Sequence, residues 1–286
     1  MALHLLPTDL LRTHARQRLE SLELWLRRLI HDEFTATYGQ DYVNTATVSG
    51  QAVFNTAIRK HVASRIAVAS KPSLRPVDTL LLDHIATIIC KEDVYRLHFS
   101  RPLRHGFPQG QQHFRIMLQR LVPIRNALAH ANPISTHDAE RSLCYSSDII
   151  ESLLQHYSDV GMSKDFDAPT FTRYNDSFGN VEVPVSADVQ LNFTSRQSLR
   201  CGDSLRIEVE VDAHYSPETY EITWLVTGVR EPETGKGHSF ALTLGPRHVN
   251  ENFCIFVTLV AGGREWHRHG NHDARLVLVY RVLPPI

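Results

Sequence analysis

The period at which apolar residues recur changes once along this chain, and that change limits the fold more than any other feature. In the first half, Ala15, Leu19, Leu22, Leu26 and Leu29 step by four and three, the stripe of a helix that buries one side. In the second half, Leu205, Ile207, Val209 and Val211 alternate with Arg206, Glu208, Glu210 and Asp212, the signature of a strand with one face in a core. A chain of 286 residues with this switch is expected to be a multidomain α + β protein, an all-α bundle followed by an antiparallel β-sandwich.

The helical part is placed at residues 1–160. Its first helix should follow Pro7, with Thr8 or Asp9 as cap, and run to about Tyr38 before Gly39. A second is expected over Gln51 to Ser70 and a third from near Asp78 through Ile89, while Val94 to Phe99 is ambiguous. A long helix opens after Gly110 and meets Pro123, which should kink or break it. The last begins at Thr136. Residues 161–187, rich in Gly, Pro, Asp and Ser, are expected to be a linker with room for short strands. Strands are then predicted within 188–286 at Val189–Phe193, Leu205–Val211, Tyr220–Thr227, Ser239–Leu244, Asn252–Leu259 and Ala274–Leu283. Six or seven strands in about 100 residues, with Trp224 as a core anchor, suggest an immunoglobulin-like sandwich.

Composition excludes several classes. The 42% hydrophobic and 21% charged content is that of a globular protein, and no apolar run reaches the roughly 18 residues of a membrane span. Cys90, Cys144, Cys201 and Cys254 are scattered with no CxxC pair, which argues against a zinc ribbon and for free thiols in the cytoplasm. The start of the chain lacks the basic leader and longer apolar core of a signal peptide. Net charge is −1, so no strongly basic chain advertises nucleic acid; the basic set is nevertheless 25 Arg to 5 Lys.

The segment that concentrates chemistry is "LVPIRNALAHANPIS", residues 121–135. R-x4-H occurs twice in the chain, at Arg125/His130 and Arg264/His269, about as often as chance allows, so context decides. Arg125 continues the inward stripe of Phe114, Leu118 and Leu121, to within about 40° on a regular helix. A buried guanidinium needs an anionic partner, and a phosphate suits its planar fork. His130 lies about 140° further round, so a straight helix does not bring both side chains to one point; they converge if the helix breaks near Ala129, or across a dimer interface where each chain supplies one pair. Asn126 stands beside the arginine, able to orient a phosphate oxygen or the imidazole. The structural alternative pairs Arg125 with a carboxylate and leaves His130 as a cation at a helix end.

"PIRNALAHANPIS" at the end of a long helix in an all-α region resembles the HEPN superfamily, many members of which carry R-x4–6-H with a polar residue after the arginine. The resemblance covers roughly residues 10–160, and "RNALAH" is its sharp motif. It implies a homodimer with two motifs facing one cleft and metal-independent RNA cleavage, commonly as a toxin or phage-defence effector, with no cofactor. Arg125, His130 and Asn126 would then be catalytic. The second reading is a non-catalytic dimeric module that binds nucleotide, RNA or protein. In either, the sandwich would serve a regulatory protein partner.

Other features carry less. "RLHFSRPLRHGFPQGQQH" interleaves Arg101, Arg104 and His105 with Phe99 and Phe107, a composition suited to single-stranded RNA, and it is the expected substrate-guiding surface. Arg27, Arg28 and His31 with Asp32 and Glu33 suit a solvated helix face. His267, His269 and His272 beside Asp273 are zinc-ligand types, but their spacing matches no metal motif and none is expected there. "PETGKG", residues 232–237, lacks the phosphate-loop spacing and is expected to be a hairpin turn.

Overall fold

The computed structural model describes residues 7–68, 75–161, 167–183 and 191–285. The chain divides into two compact units, Met1–Met162 and Ser163–Ile286.

The first unit is built on α1 (Thr8–Tyr38). Its stripe, from Ala15 through Leu19, Leu22, Leu26, Leu29 and Ile30 to Phe34, is buried. Gly39 ends it at φ +75°, a conformation glycine adopts without a Cβ penalty. The start differs from expectation: Pro7 itself occupies the capping position and no side chain caps the helix. After α2 (Tyr42–Thr45) comes a two-stranded hairpin, β1 (Thr47–Val48) and β2 (Gln51–Ala52). Ser49 and Gly50 both take positive φ between them, the pairing that matches hairpin twist. That hairpin displaces the predicted second helix, because Asn55 and not Gln51 supplies the start: its side chain accepts from Ile58 N at 2.9 Å. The helix, α3, spans Thr56–Val68, and Ala69 and Ser70 lie outside the described residues.

A 3₁₀ turn at Pro76–Thr79 precedes α4 (Leu82–Ile89), and α5 (Glu92–Val94) runs straight into a π-helical turn at Tyr95–Phe99, which accounts for the ambiguous sequence there. Then α6 (Gln111–Ala129) carries Pro123 inside it without a break, and α7 (Thr136–Asp159) starts from the reciprocal cap of Ser135 and Asp138. At one end of the bundle Leu11 and Ala15 of α1, Leu128 of α6, Ile134 of the connection before α7 and Ala139 of α7 share a cluster. At the other, Phe34 meets Tyr38, Tyr42, Phe54 and Phe99 edge-on or tilted.

The second unit is all β. A four-stranded sheet has the order β4 (Val181–Glu182), β3 (Phe171–Asp176), β6 (Ser204–Val211), β9 (Ser239–Thr243), all antiparallel. A five-stranded sheet has the order β5 (Leu191–Arg200), β11 (Ala274–Leu283), β10 (Asn250–Ala261), β7 (Tyr220–Thr227), β8 (Glu233–Lys236). This sheet is mixed and not purely antiparallel, since β5 pairs with β11 in parallel. Both sheets contribute to one core: Phe171, Tyr174, Leu205, Ile207 and Val209 from the first, Ile222, Trp224, Ile255, Val257, Leu278 and Tyr280 from the second.

The segment 161–187 carries two of the short strands for which its sequence left room, β3 and β4, and β3 is an interior strand of the four-stranded sheet. One sequence expectation is corrected here. "PETGKG" is not a turn: Glu233–Lys236 pairs with Val226–Thr223. Gly235 is required there, because a Cβ would stand 2.6 Å from the Phe240 ring, which itself stacks on Trp224 at 5.5 Å. Val189 of the predicted first strand lies outside the described residues. Cys201 and Cys254 are free.

Candidate functional site

Helix α6 buries Phe114, Leu118, Leu121 and Ile124. Arg125 follows on that side and lands on α1, where its Nε donates to Glu23 Oε1 at 2.5 Å. Glu23 is nearly enclosed, its side chain 6% exposed, and its other oxygen accepts from Arg27 Nη2 at 2.6 Å. Arg27 in turn is held by the Leu80 carbonyl, 2.9 Å from Nε and 2.5 Å from Nη2. One buried carboxylate thus lies between two guanidiniums, an arrangement that offsets the cost of burying its charge.

The grip on Arg125 is one-sided. Its side chain is 23% exposed, and among the described residues only Nε is engaged. Among the described residues neither terminal nitrogen has a hydrogen-bond partner, which leaves four of the five N–H donors of the fork to solvent.

Beyond Arg125 the helix closes in a Schellman motif. Asn132 N donates to Ala127 O at 2.8 Å and Ala131 N to Leu128 O at 3.1 Å. The left-handed position is taken by Ala131 at φ +56°, where glycine is the usual occupant. His130 is the last residue before it, at φ −95° and ψ 15°. His130 and Asn126 are exposed, and no hydrogen bond reaches either side chain among the described residues.

The structure therefore does not bring Arg125 and His130 to one point within a chain. The helix stays regular through Ala129 despite Pro123, so the offset of about 140° is retained. Arg125 faces α1, and His130 faces solvent with Asn126.

The expected substrate-guiding residues are elsewhere. Arg104 Nη2 and His105 Nε2 both contact Asp159 Oδ2, at 3.1 and 2.8 Å. Bonds from Gln155, His105 and Arg104 hold that carboxyl down at about 2. Gly106 N donates to Ser152 Oγ at 3.0 Å, so this loop is pinned to the end of α7. It precedes α6, whereas His130 terminates it, and 19 helical residues separate the two by about 28 Å. Arg101 is exposed at the same far end; burial lowers the His156 pKa and raises that of Glu33, and the Arg101 charge adds to the first shift and opposes the second. Phe99 and Phe107 are no stacking platform: they are 0% and 1% exposed, packed in the core. His98, between them and the start of that segment, is buried against the Tyr38 hydroxyl at 2.9 Å.

Arg27 and Arg28 are also corrected. Each is 8% exposed, so this side of α1 is not a solvated face. Sequence reasoning missed Glu23 altogether. The available signal was phase: positions 23 and 27 lie about 20° and 60° beyond the edge of the arc set by Leu19, Leu22, Leu26 and Ile30, at the border of the buried stripe, and charges there need partners once the border is covered.

In the second unit, Asp273 is fully buried and accepts from Ala261 N at 2.7 Å and Arg268 N at 3.1 Å, with His267 Nδ1 at 3.0 Å. It organises the loop that carries the three histidines. Among the described residues no group of three metal-ligating side chains converges, and no helix is long and apolar enough to cross a membrane. Family models, curated proteins and solved structures were all compared with the chain, and none matches.

Proposed function

We propose that the helical unit is a metal-independent endoribonuclease of the HEPN type, acting as a toxin or defence effector in the cytoplasm. The observation that carries this reading is the state of Arg125: fixed by Glu23 through Nε, with its terminal nitrogens left for a ligand.

RNA supplies its own nucleophile. His130, exposed at the helix end, takes the proton of the ribose 2′-hydroxyl or returns one to the leaving 5′-oxygen. The 2′-oxygen bonds to phosphorus, the bond from phosphorus to the 5′-oxygen breaks, and a 2′,3′-cyclic phosphate forms. Arg125 stabilises the charge that grows on the phosphoryl oxygens, with Asn126 as a second donor. Glu23 acts through Arg125 as a positioning residue. The offset between Arg125 and His130 supports a homodimer in which each copy completes the other's site.

For the β unit, the parallel edge of β5 on β11, the order β5-β11-β10-β7-β8 and the buried Trp224 on β7 support an immunoglobulin-like classification and a partner-binding role. A binding-only bundle is the competing reading of the first unit, favoured by the ion pair that already occupies Arg125 Nε.

The test uses full-length protein stripped with EDTA and offered RNA and DNA of one sequence. RNA should be cut to products with cyclic phosphate ends and DNA should persist. His130→Ala should slow cleavage by about 10²–10⁴-fold. Equal survival of both substrates, or cutting that is indifferent to His130→Ala, would overturn the proposal.

A further inference from the structure

A groove of about 420 Å³ runs between α4 and α6. Asp83, Ala86 and Thr87 line it from α4, and Arg115, Gln119, Val122 and Pro123 from α6. The α6 positions are not isolated from the candidate site. At 100° per residue, Arg115, Gln119, Val122, Pro123, Asn126 and His130 fall within an arc of about 100°. The floor of the groove therefore leads along one face of the helix to the exposed histidine. From Arg115 to His130 the rise is about 22 Å, a span of several nucleotides.

The chemistry of this face differs from that of the far-end loop. Arg104 pairs with Asp159, and Arg120 donates to the Tyr145 hydroxyl at 2.9 Å. Arg115 is exposed and makes no ion pair or hydrogen bond among the described residues. Ala86, Val122 and Pro123 supply apolar wall. Pro123 has no N–H to give the Gln119 carbonyl, so that acceptor lacks its usual helical donor. Asp83 is exposed at the opposite wall and only accepts.

We propose that this groove is the substrate channel: it holds single-stranded RNA leading away from His130, with a phosphate on Arg115 and a base on the apolar wall read by Asp83. The inference rests on the ribonuclease reading above and replaces Arg101, Arg104 and His105 as the principal RNA contact. A carboxylate accepts from an exocyclic amino group, which cytosine and adenine present and uracil does not. Uracil offers a carbonyl at that edge, and two acceptors repel. The channel therefore prefers adenine or cytosine over uracil at the Asp83 position.

The experiment is fluorescence anisotropy of labelled oligo(A), oligo(C) and oligo(U) against the full chain carrying His130→Ala, across a salt series. Oligo(A) and oligo(C) should bind about tenfold tighter than oligo(U). Asp83→Asn, which adds a donor for the uracil carbonyl, should reduce that gap to about twofold or less. Arg115→Glu should weaken all three alike and lower the slope of log affinity against log salt by about one. Both side chains are exposed, so the variants should keep the parent's urea midpoint, which is checked alongside. Unchanged affinity, slope and base preference in both variants, with cleavage intact in the protein that retains His130, would overturn the channel and leave the nuclease standing. Failure of the parent to bind any homopolymer would overturn the channel, while the cleavage assay with RNA and DNA decides the nuclease reading separately. Concentration-dependent self-association that is abolished by Arg115→Glu without any effect on RNA would assign the groove to a second copy and overturn the channel.

Discussion

Glu23→Gln is the perturbation that tests the site most directly. The carboxylate accepts charge-assisted bonds at 2.5 Å from Arg125 and 2.6 Å from Arg27. Breaking one partner out of a buried ion pair costs about 3–5 kcal/mol. Two features pull the figure down. Arg27 keeps the Leu80 carbonyl, and Arg125, 23% exposed, regains water. Glutamine also retains one acceptor oxygen, although its amide nitrogen then confronts the other guanidinium. The net loss should be about 2–3 kcal/mol, and with a urea dependence of about 1–3 kcal/mol per molar the midpoint should drop by roughly 1 M. Far-UV ellipticity follows the helical unit through the transition. Arg125→Met alone removes the same bond, so the double variant should lose less than the sum of the two single losses, by about 1 kcal/mol. A midpoint that stays within about 0.2 M, or strict additivity, would show that the pairing does not hold the two helices together. If it fails, the argument that Arg125 is pre-positioned fails with it.

Other predictions rest on separate features. Ala131→Gly removes a Cβ from a left-handed residue that costs about 1–2 kcal/mol in that conformation, and the more flexible unfolded chain gives back part of it. The variant should be more stable by about 0.5–1 kcal/mol in urea, and a loss of stability would contradict the helix ending described above. His98 is buried against Tyr38 and Phe34, and desolvation holds its pKa below the usual 6.5; burial lowers His156 likewise. Below about pH 6.5 the unfolded chain takes up protons that these folded-state rings resist, so stability should fall as pH drops from there through the folded-state pKa values. A urea series from pH 7.5 to 5 should show this, and His98→Gln should shallow the decline; an unchanged slope in the variant would remove His98 as a cause.

Legibility in the sequence followed how far each signal was local. The bounds of α1 were readable because seven apolar residues keep one phase and Gly39 follows them. Likewise β6 was readable because its alternation is strict and its inward set, Leu205 to Val211, is buried. By contrast, β8 was hidden because Gly235 is a poor strand residue, admitted only by the Phe240 ring lying against it from β9. The place of β3 in mid-sheet was equally non-local, depending on its pairing with β6, about 30 residues on. At the site, the inward phase of Arg125 was legible, but its partner lies 102 residues earlier and no spacing rule reaches that far. Phe99 and Phe107 misled because aromatic side chains among arginines satisfy a core and an RNA surface with the same letters.

The unequal tethering of the two ends of "RNALAH" has a dynamic consequence. Arg125 is bolted across two helices by a buried anion, while His130 hangs on the final residue of a helix that closes on a strained alanine. Terminal turns open at low free-energy cost, so amide exchange should be faster at Ala131 and Asn132 than at Leu121, Val122, Ile124 and Arg125. One half of the motif keeps its aim, and the other moves independently of it.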